Sequence, residues 1–419
     1  MMKILLSAYA CEPNKGSEPG VGWHWCMELV KLGHEIWVIT RANNRNNIEQ
    51  ALSALPEMSN LHFVYYDLPK WAGWWKQGSR RGFVNLYYAL WQWGAYRAAK
   101  KICRQQLFDV VHHLTFGVFR QPSFMGRLGI PFIVGPVGGG ERAPFQLRKN
   151  YIFRDYLLDF CRDLLNALSR FDPLLNDMFK KAFLIYVKTP ETGRMISPHY
   201  QHKVRSLLEI GVNLPSQSRK QSSCISFSPE HPIKILYVGH FLSLKGMQIG
   251  IPAFARLTRD IPYAQLTMIG KGPAEEAWKS LGEKLGIESK IQWRGWVTQQ
   301  VLAEIYADHD VLLFPSLHDS SGNVVLEAMS HGLPVLCLNL GGPAVIVNHD
   351  CGMVVPVEGG VDYVIERLYQ AMRNLAMLPP EEMGILRNGA YQRAQYFSWS
   401  RPVKIVYESD IQRENIIRS

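Results

Sequence analysis

The sequence predicts an α/β protein built from two doubly wound parallel-sheet domains. Three observations carry that expectation. Short apolar strands alternate with helical stretches through both halves of the chain, which is the pattern of a parallel sheet flanked by helices. A Ser-, Pro- and Gln-rich stretch without periodicity, Asn213–Pro232, separates the two series and reads as a linker. The 419 residues are enough for two domains that each bury a core.

The first domain is expected over residues 1–212. Lys3–Ala8 is its first strand, a loop follows, and Val21–Leu32 is a helix stopped at Gly33-His34. Ile36–Thr40, Leu61–Tyr66, Val110–His113 and Phe132–Val134 are further strands, and Ile185–Lys188 and Val204–Leu207 complete the sheet. Residues 213–232 are the linker and residues 233–398 the second domain. There the order is strand Lys234–Val238, helix Met247–Leu257, strand Gln265–Ile269, helix Ala274–Leu285, strand Ile291–Trp293, helix Gln300–Ala307 and strand Val311–Phe314. Strands Val335–Leu338 and Met353–Val355 and a helix over Val361–Asn374 follow.

Composition bounds the classes. Apolar residues make up 47% of the chain and charged residues 20%, as in globular proteins. No apolar run reaches the ~20 residues that span a bilayer, and the N-terminus lacks a signal-peptide layout. The seven cysteines are scattered, with no Cys-x-x-Cys, so a cytoplasmic protein with free thiols is expected. Residues 1–205 hold 27 Lys and Arg against 15 Asp and Glu, a net of +12, while residues 206–419 hold 19 against 21. The basic half points to an anionic partner. No nucleic-acid motif is present, so an anionic membrane surface is the expected one, met peripherally at the inner face.

The most informative stretch is Leu312–Val347. An apolar strand leads through a polar turn into a helix, a second strand and Gly341-Gly342-Pro343. Gly322 stands where the turn becomes a helix, and the N–H groups of Ser321, Gly322, Asn323 and Val324 at that start favour an anion. Asp319 and Glu327 flank it, and carboxylates accept hydrogen bonds from sugar hydroxyls. Phosphate and sugar together describe a nucleotide sugar. Pro315-Ser316, Asp319, Glu327-Ala328-Met329, Gly332, Pro334-Val335 and Gly341-Gly342-Pro343 resemble the signature of the retaining glycosyltransferases of family 4. The resemblance implies the GT-B architecture: two Rossmann-like domains facing across a cleft, with residues 399–419, and Pro402–Ile417 in particular, crossing back onto the first. One departure is Asp319, which is a Glu in the pattern.

The family's Gly-Arg-Leu-x3-Lys-Gly motif matches Gly239, Lys245 and Gly246 but has His240 at the Arg. Imidazole donates singly and is partly neutral where guanidinium forks and stays charged, so weaker or more pH-dependent donor binding is expected. Gly270-Lys271-Gly272-Pro273 and Gly295-Trp296-Val297 resemble turns that the family places near the nucleotide. Asn14–Gly22 resembles its Gly-rich loop, with Gly16 as the residue under the diphosphate. Asp109–His113 resembles Asp-Val-Val-His-x-His, but the distal His is Leu114, which passes that role to His113 or His112. Gly139 and Glu141, in a Gly-rich loop at a strand end, are candidates for the acceptor. Asp308-His309-Asp310 spells a metal motif of the other large glycosyltransferase fold, but falls at a helix-to-strand junction and is rejected; no metal is expected. Aromatic and basic residues interleave over Trp71–Lys101 and again over Tyr151–Lys181, marking interfacial segments or an acceptor groove.

The resemblance implies transfer of a sugar from a UDP- or GDP-linked donor to an acceptor hydroxyl of a glycan or lipid-linked molecule, without metal or side-chain nucleophile. Lys245 and the Gly322 helix start hold the diphosphate, Glu327 the ribose and Asp319 the sugar. Two other classes stay open. A nucleotide-sugar epimerase of the same fold needs acids and bases placed for elimination. A catalytically weak nucleotide-sugar-binding protein shows tight binding without turnover.

Overall fold

Residues 1–56, 58–69, 84–215 and 226–412 are described by the structure, a computed structural model. The chain forms two compact units. In the first, strands β1 Lys3–Ser7, β2 Glu35–Arg41, β3 Leu61–Tyr66, β4 Val110–His113, β5 Phe132–Val137, β6 Leu184–Val187 and β7 Val204–Ser206 form one sheet in the order β3-β2-β1-β4-β5-β6-β7. Every pairing is parallel, for example Ile4 beside Ile36 on one side and Val110 on the other. Ile4, Leu5 and Leu6 are all fully buried, which is why the strands read as continuous apolar runs rather than alternating ones.

The helices before residue 212 are α1 Ser17–Lys31, α2 Arg45–Ser53, α3 Val84–Ile102, α4 Phe153–Leu168, α5 Pro173–Lys181 and α6 Pro190–Met195. Local chemistry starts several of them. The Asp172 carboxylate accepts from the Leu174 and Leu175 N–H groups, and Thr189 caps α6 through the Thr192 N–H. Each cap is followed by Pro at the first helical position, where no N–H is missed. α1 begins at Ser17, four residues before the expected start. Pro19 is tolerated in the first turn, and a Cβ on Gly20 or Gly22 would lie 2.2 Å from the carbonyl oxygen of Lys15 or Ala10. Those glycines therefore serve close packing under the loop.

In the second unit, β8 Lys234–Val238, β9 Gln265–Ile269, β10 Ile291–Arg294, β11 Val311–Phe314, β12 Val335–Leu338 and β13 Gly352–Val355 form a sheet in the order β10-β9-β8-β11-β12-β13. Helices α7 Met247–Asp260, α8 Glu275–Lys284, α9 Gln299–Asp308, α10 Asn323–Ser330, α11 Gly341–Ile346, α12 Gly360–Ala376 and α13 Pro380–Tyr396 accompany it. Gly341-Gly342-Pro343, read as a turn, is instead the first turn of α11. The last described residues include α14 Ser400–Lys404, which continues as a π-helical stretch over Ile405–Asp410.

The units change over at Gly211/Val212 and at Ser398/Trp399, within a residue of the expected boundaries, but one segment is exchanged. Glu141–Leu164 belongs with Val212–Ser398, whereas Leu165–Gly211 and the stretch from Trp399 belong with Met1–Gly140. Polar bonds explain the exchange. Asp155 Oδ2 accepts from the Ser243 N–H at 2.7 Å, and the Ser243 hydroxyl oxygen accepts from the Ile152 N–H at 3.2 Å. The expected linker falls partly on residues 216–225, outside the described residues, as do Trp71, Trp74, Trp75, Lys76, Arg80 and Arg81. Of the remaining aromatics there, Tyr87, Tyr88 and Trp91 are buried in the core of the first unit rather than displayed.

Candidate functional site

In the second unit the strand order reverses between β8 and β11. Loops leaving their carboxyl ends diverge there, and open α/β sheets bind ligands at that point. One loop carries Gly239–Gly246, the other Pro315–Gly322. They are joined where the Leu317 N–H donates to the Leu244 carbonyl at 2.8 Å. Gly246 permits the approach: its φ is +79° and a Cβ would lie 1.8 Å from the Pro315 carbonyl oxygen. Gly246→Ala is expected to cost at least ~2 kcal/mol, from the left-handed backbone and a clash that no side chain can relieve; urea unfolding measures it.

Across these loops Lys245 Nζ donates to Asp319 Oδ2 at 2.6 Å. Asp319 Oδ1 accepts from the N–H groups of Ser321 (3.1 Å) and Gly322 (2.9 Å). Burial alone would raise the Asp319 pKa, but Lys245 and the two N–H groups hold it below the usual carboxylate value. Gly322, with φ of +82°, turns the chain into α10. The N–H groups of Asn323 and Val324 follow in the first turn, beyond the reach of any carbonyl within the helix. The expected anion site is thus a cation and a helix start, with Asp319 lying against both.

Glu327 is further along α10 and half-buried, and the Tyr306 hydroxyl donates to its Oε2 at 3.4 Å. Burial pushes its pKa to about 7, with the Tyr306 bond working the other way. The folded state therefore favours the protonated acid. That contribution to stability is fully present below about 4.5 and is lost as the pH rises to about 7. Glu327→Gln is expected to melt above the unaltered protein at about pH 8 and level with it at acid pH, by calorimetry.

The glycine turns come together as expected of neighbouring strand ends. Phe241 N–H donates to the Lys271 carbonyl at 3.0 Å. A Cβ on Gly270 or Gly272 would lie 1.9 Å from the Gly239 oxygen or 2.3 Å from the Phe241 oxygen. Gly295 stands beside the Lys271 side chain, and Val297 is half-buried. His240 is exposed and has its ring edge-to-face with Trp296, centroids 4.7 Å apart.

Glu141 is 2% exposed, and its Oε2 accepts from the Ser320 hydroxyl at 2.7 Å, with His318 Nε2 at 3.7 Å. Its sequence position suggests the first domain, but it is part of the second unit, beside the Asp319 loop. Arg162 Nη1 donates to His318 Nδ1 at 3.4 Å. Burial, then Arg162, lowers the His318 pKa to about 4 despite Glu141 and Asp319. The sequence reading missed Ser320, His318 and Arg162. Ser320 and His318 flank Asp319 and were within reach of a motif argument. Arg162 is distant along the chain, and no spacing rule reports it.

In the first unit, His112 has both nitrogens engaged: Nε2 donates to the Gly135 carbonyl at 2.6 Å and Nδ1 accepts from the Tyr407 hydroxyl at 2.7 Å. His113 Nε2 is 3.3 Å from the Tyr88 hydroxyl, and Nδ1 has no hydrogen-bond partner among the described residues. Burial lowers the two to about 4 and about 3, with His112 adding to the shift of His113, so both are neutral near pH 7. Gly16 is exposed and precedes α1; the Gly139 carbonyl accepts from Asn166 Nδ2 at 2.9 Å. The sequence reading also missed a buried group here. Lys188 pairs with Glu209 at 2.6 Å and stands 3.9 Å from Glu18, whose carboxylate accepts from the Gly117 N–H and whose pKa is raised by burial.

Asp308, His309 and Asp310 each have protein partners. Lys234 binds Asp308, His309 donates to the Ile305 carbonyl and accepts from Thr267, and Arg387 binds Asp310. Among the described residues no group of three or more His, Cys, Asp or Glu side chains is placed to hold a metal ion.

Residues 232–375 match the family described as Glycosyl transferases group 1. The chain is 27% identical over 233 residues to a D-inositol 3-phosphate glycosyltransferase of Streptomyces bingchenggensis. That match takes in 52% of this chain and 50% of the relative, so the chain spans about half the length of the curated relatives it matches. Among solved structures it resembles sucrose-phosphate synthase from Thermosynechococcus elongatus, with a TM-score of 0.65, 17% identity and 100% of each chain covered. HepE of Anabaena in complex with UDP-glucose is similar with a TM-score of 0.56 and 14% identity, over 98% of this chain and 100% of that one. At such identities the likeness carries the fold, GT-B with its two Rossmann-like parallel-sheet domains. Residues 232–375 are thus similar in sequence to the group 1 glycosyl transferases, and the fold over the whole chain is that of GT-B proteins.

Proposed function

We propose that the chain is a retaining glycosyltransferase that moves a sugar from a nucleoside-diphosphate donor to an acceptor hydroxyl during glycan or glycolipid assembly. The observation that carries this reading is the Lys245–Asp319 pair at the start of α10, with Glu327 on the same helix. A donor diphosphate takes Lys245 and the Ser321 and Gly322 N–H groups from Asp319, which is then free to accept from a hydroxyl of the donor sugar. Glu327, as a carboxylate, accepts from the ribose hydroxyls. Donor affinity therefore rises as the pH rises through about 7, and Glu327→Gln removes that dependence.

Charge grows on the leaving diphosphate as the glycosidic bond breaks. Lys245 and oriented N–H groups stabilise it where it forms. The leaving phosphate takes the acceptor's proton on the same face of the sugar, so the step needs no side-chain nucleophile and no metal. His113, neutral and with Nδ1 unpartnered among the described residues, is assigned to the reacting sugar, Gly16 to the diphosphate, and Glu141 and Gly139 to the acceptor. HepE, of the same fold, was solved with UDP-glucose, which favours a uridine nucleotide over GDP. A lipid-linked acceptor places the protein peripherally at an anionic inner membrane face. The test is turnover of UDP- and GDP-sugars with lipid-linked and free glycans, with the product anomer read by NMR. Retention of the donor's configuration is the expected result; inversion overturns the mechanism.

A further inference from the structure

Helix α4 is built inside out. Within Phe153–Leu164 the acidic residues face inward: Asp155 and Asp159 are 6% and 3% exposed. Asp155 binds the Ser243 N–H at 2.7 Å. Asp159 pairs with Arg162 and, at 3.0 Å, with Arg148, which also binds Asp163 at 2.7 Å. The apolar residues face solvent instead. Phe153, Leu157, Leu158, Phe160 and Leu164 are between 49% and 82% exposed. Phe153, Leu157, Phe160 and Leu164 recur at helical spacing and form one stripe, with exposed Cys161 on the same side. Ion pairs hold the helix in place, so the stripe contributes nothing to the core. A contiguous exposed apolar face of this kind marks an interaction surface.

We propose that this face of α4 docks the protein on an anionic lipid bilayer, lying in the plane of the interface. Charge selects the occupant. The three acids of the segment are tied to Arg148, Arg162, Arg142 or Ser243, while Arg154 and the preceding Lys149 are exposed. The outward side of Phe153–Leu164 therefore presents apolar surface and a cation without a free carboxylate of its own, which suits acyl chains beneath anionic headgroups. A second copy seated on the same face would bring only like charges to it. No helix among the described residues is long and apolar enough to cross a membrane, so the contact is with the surface. The inference gives the membrane reading above its surface and rests on it; it does not depend on the donor site.

The test is co-sedimentation of the full chain with vesicles of phosphatidylcholine alone or with phosphatidylglycerol, at low salt. The chain is expected to bind the anionic vesicles. Leu157→Ser/Phe160→Ser/Leu164→Ser, shown folded by circular dichroism, is expected to lower the partition coefficient by roughly tenfold or more. A second readout needs no apolar substitution: an environment-sensitive dye on Cys161, with Cys103 and Cys224 changed to Ser, is expected to shift its emission to the blue on anionic vesicles. If the unaltered protein binds no vesicle, the membrane reading and this surface both fall. If it binds but the triple variant binds equally and the dye does not respond, only the α4 assignment falls. Dimerisation that the triple variant abolishes, without vesicle binding, would assign the face to a second copy and overturn the proposal.

Discussion

Lys245→Ala is expected to remove nucleotide binding and to lower turnover by roughly 10²–10³-fold, the scale seen when one preorganised donor to a developing anion is lost. The same substitution has a structural side. Asp319 is depressed in pKa largely because Lys245 lies against it, and its stability contribution is present above the ordinary carboxylate range and lost as the pH falls through its lowered value. Without Lys245 the carboxylate keeps only the Ser321 and Gly322 N–H groups, and stability near pH 7 falls. Asp319→Ala and the double variant complete a cycle that separates the two roles. The stability losses should be strongly non-additive, because the two groups share one bond. Nucleotide binding should fall with every loss of Lys245, whether or not Asp319 is present. Retention of binding in the double variant would show that Lys245 serves only to hold Asp319.

The largest stability effect is expected at Arg148→Ala. The Arg148 side chain is 3% exposed, pairs with Asp159 and Asp163 and donates from Nε and Nη2 to the Ala143 carbonyl. Truncation leaves buried carboxylates without that cation, a change that typically costs about 3–5 kcal/mol. The pH dependence has a definite sign. Burial already raises the Asp159 pKa against the pull of Arg162 and Arg148. With Arg148 gone the pKa rises further, so the variant loses more stability as the pH increases. Urea unfolding at acid and at neutral pH measures it, and a loss that is equal at both would contradict the assignment. Because Glu141–Leu164 folds with the second unit, the substitution should also loosen the Ser243 contact at the Lys245 loop.

The central strands were legible because they are buried on both faces and so appear as short apolar runs between turn residues; Val311–Phe314 and Val335–Leu338 match residue for residue. The turns of the candidate anion site were legible for a related reason. Gly246 and Gly322 occupy backbone conformations that L side chains adopt at a cost, and such positions leave a mark in the sequence. Helix α13 left none, since its inward residues are Met383 and the small Ala390 and Ala394, which do not stand out against a polar background. Helix α4 was legible only in part: its aromatic and basic composition marked an interfacial segment or an acceptor groove, but a hydrophobic period cannot say which face turns inward when ion pairs decide it. The exchange of Glu141–Leu164 between units, and with it the meeting of Arg162 with His318, depends on contacts between distant residues and has no local signal.

The central claim is that Lys245, the α10 start and Glu327 form a donor site. Thermal stabilisation by UDP, GDP and ADP, repeated with Lys245→Ala and Glu327→Ala, tests it most directly. A shift with UDP that both variants lose is the predicted result. No shift with any of the three nucleotides in a folded sample, or a shift that survives both substitutions, would contradict it.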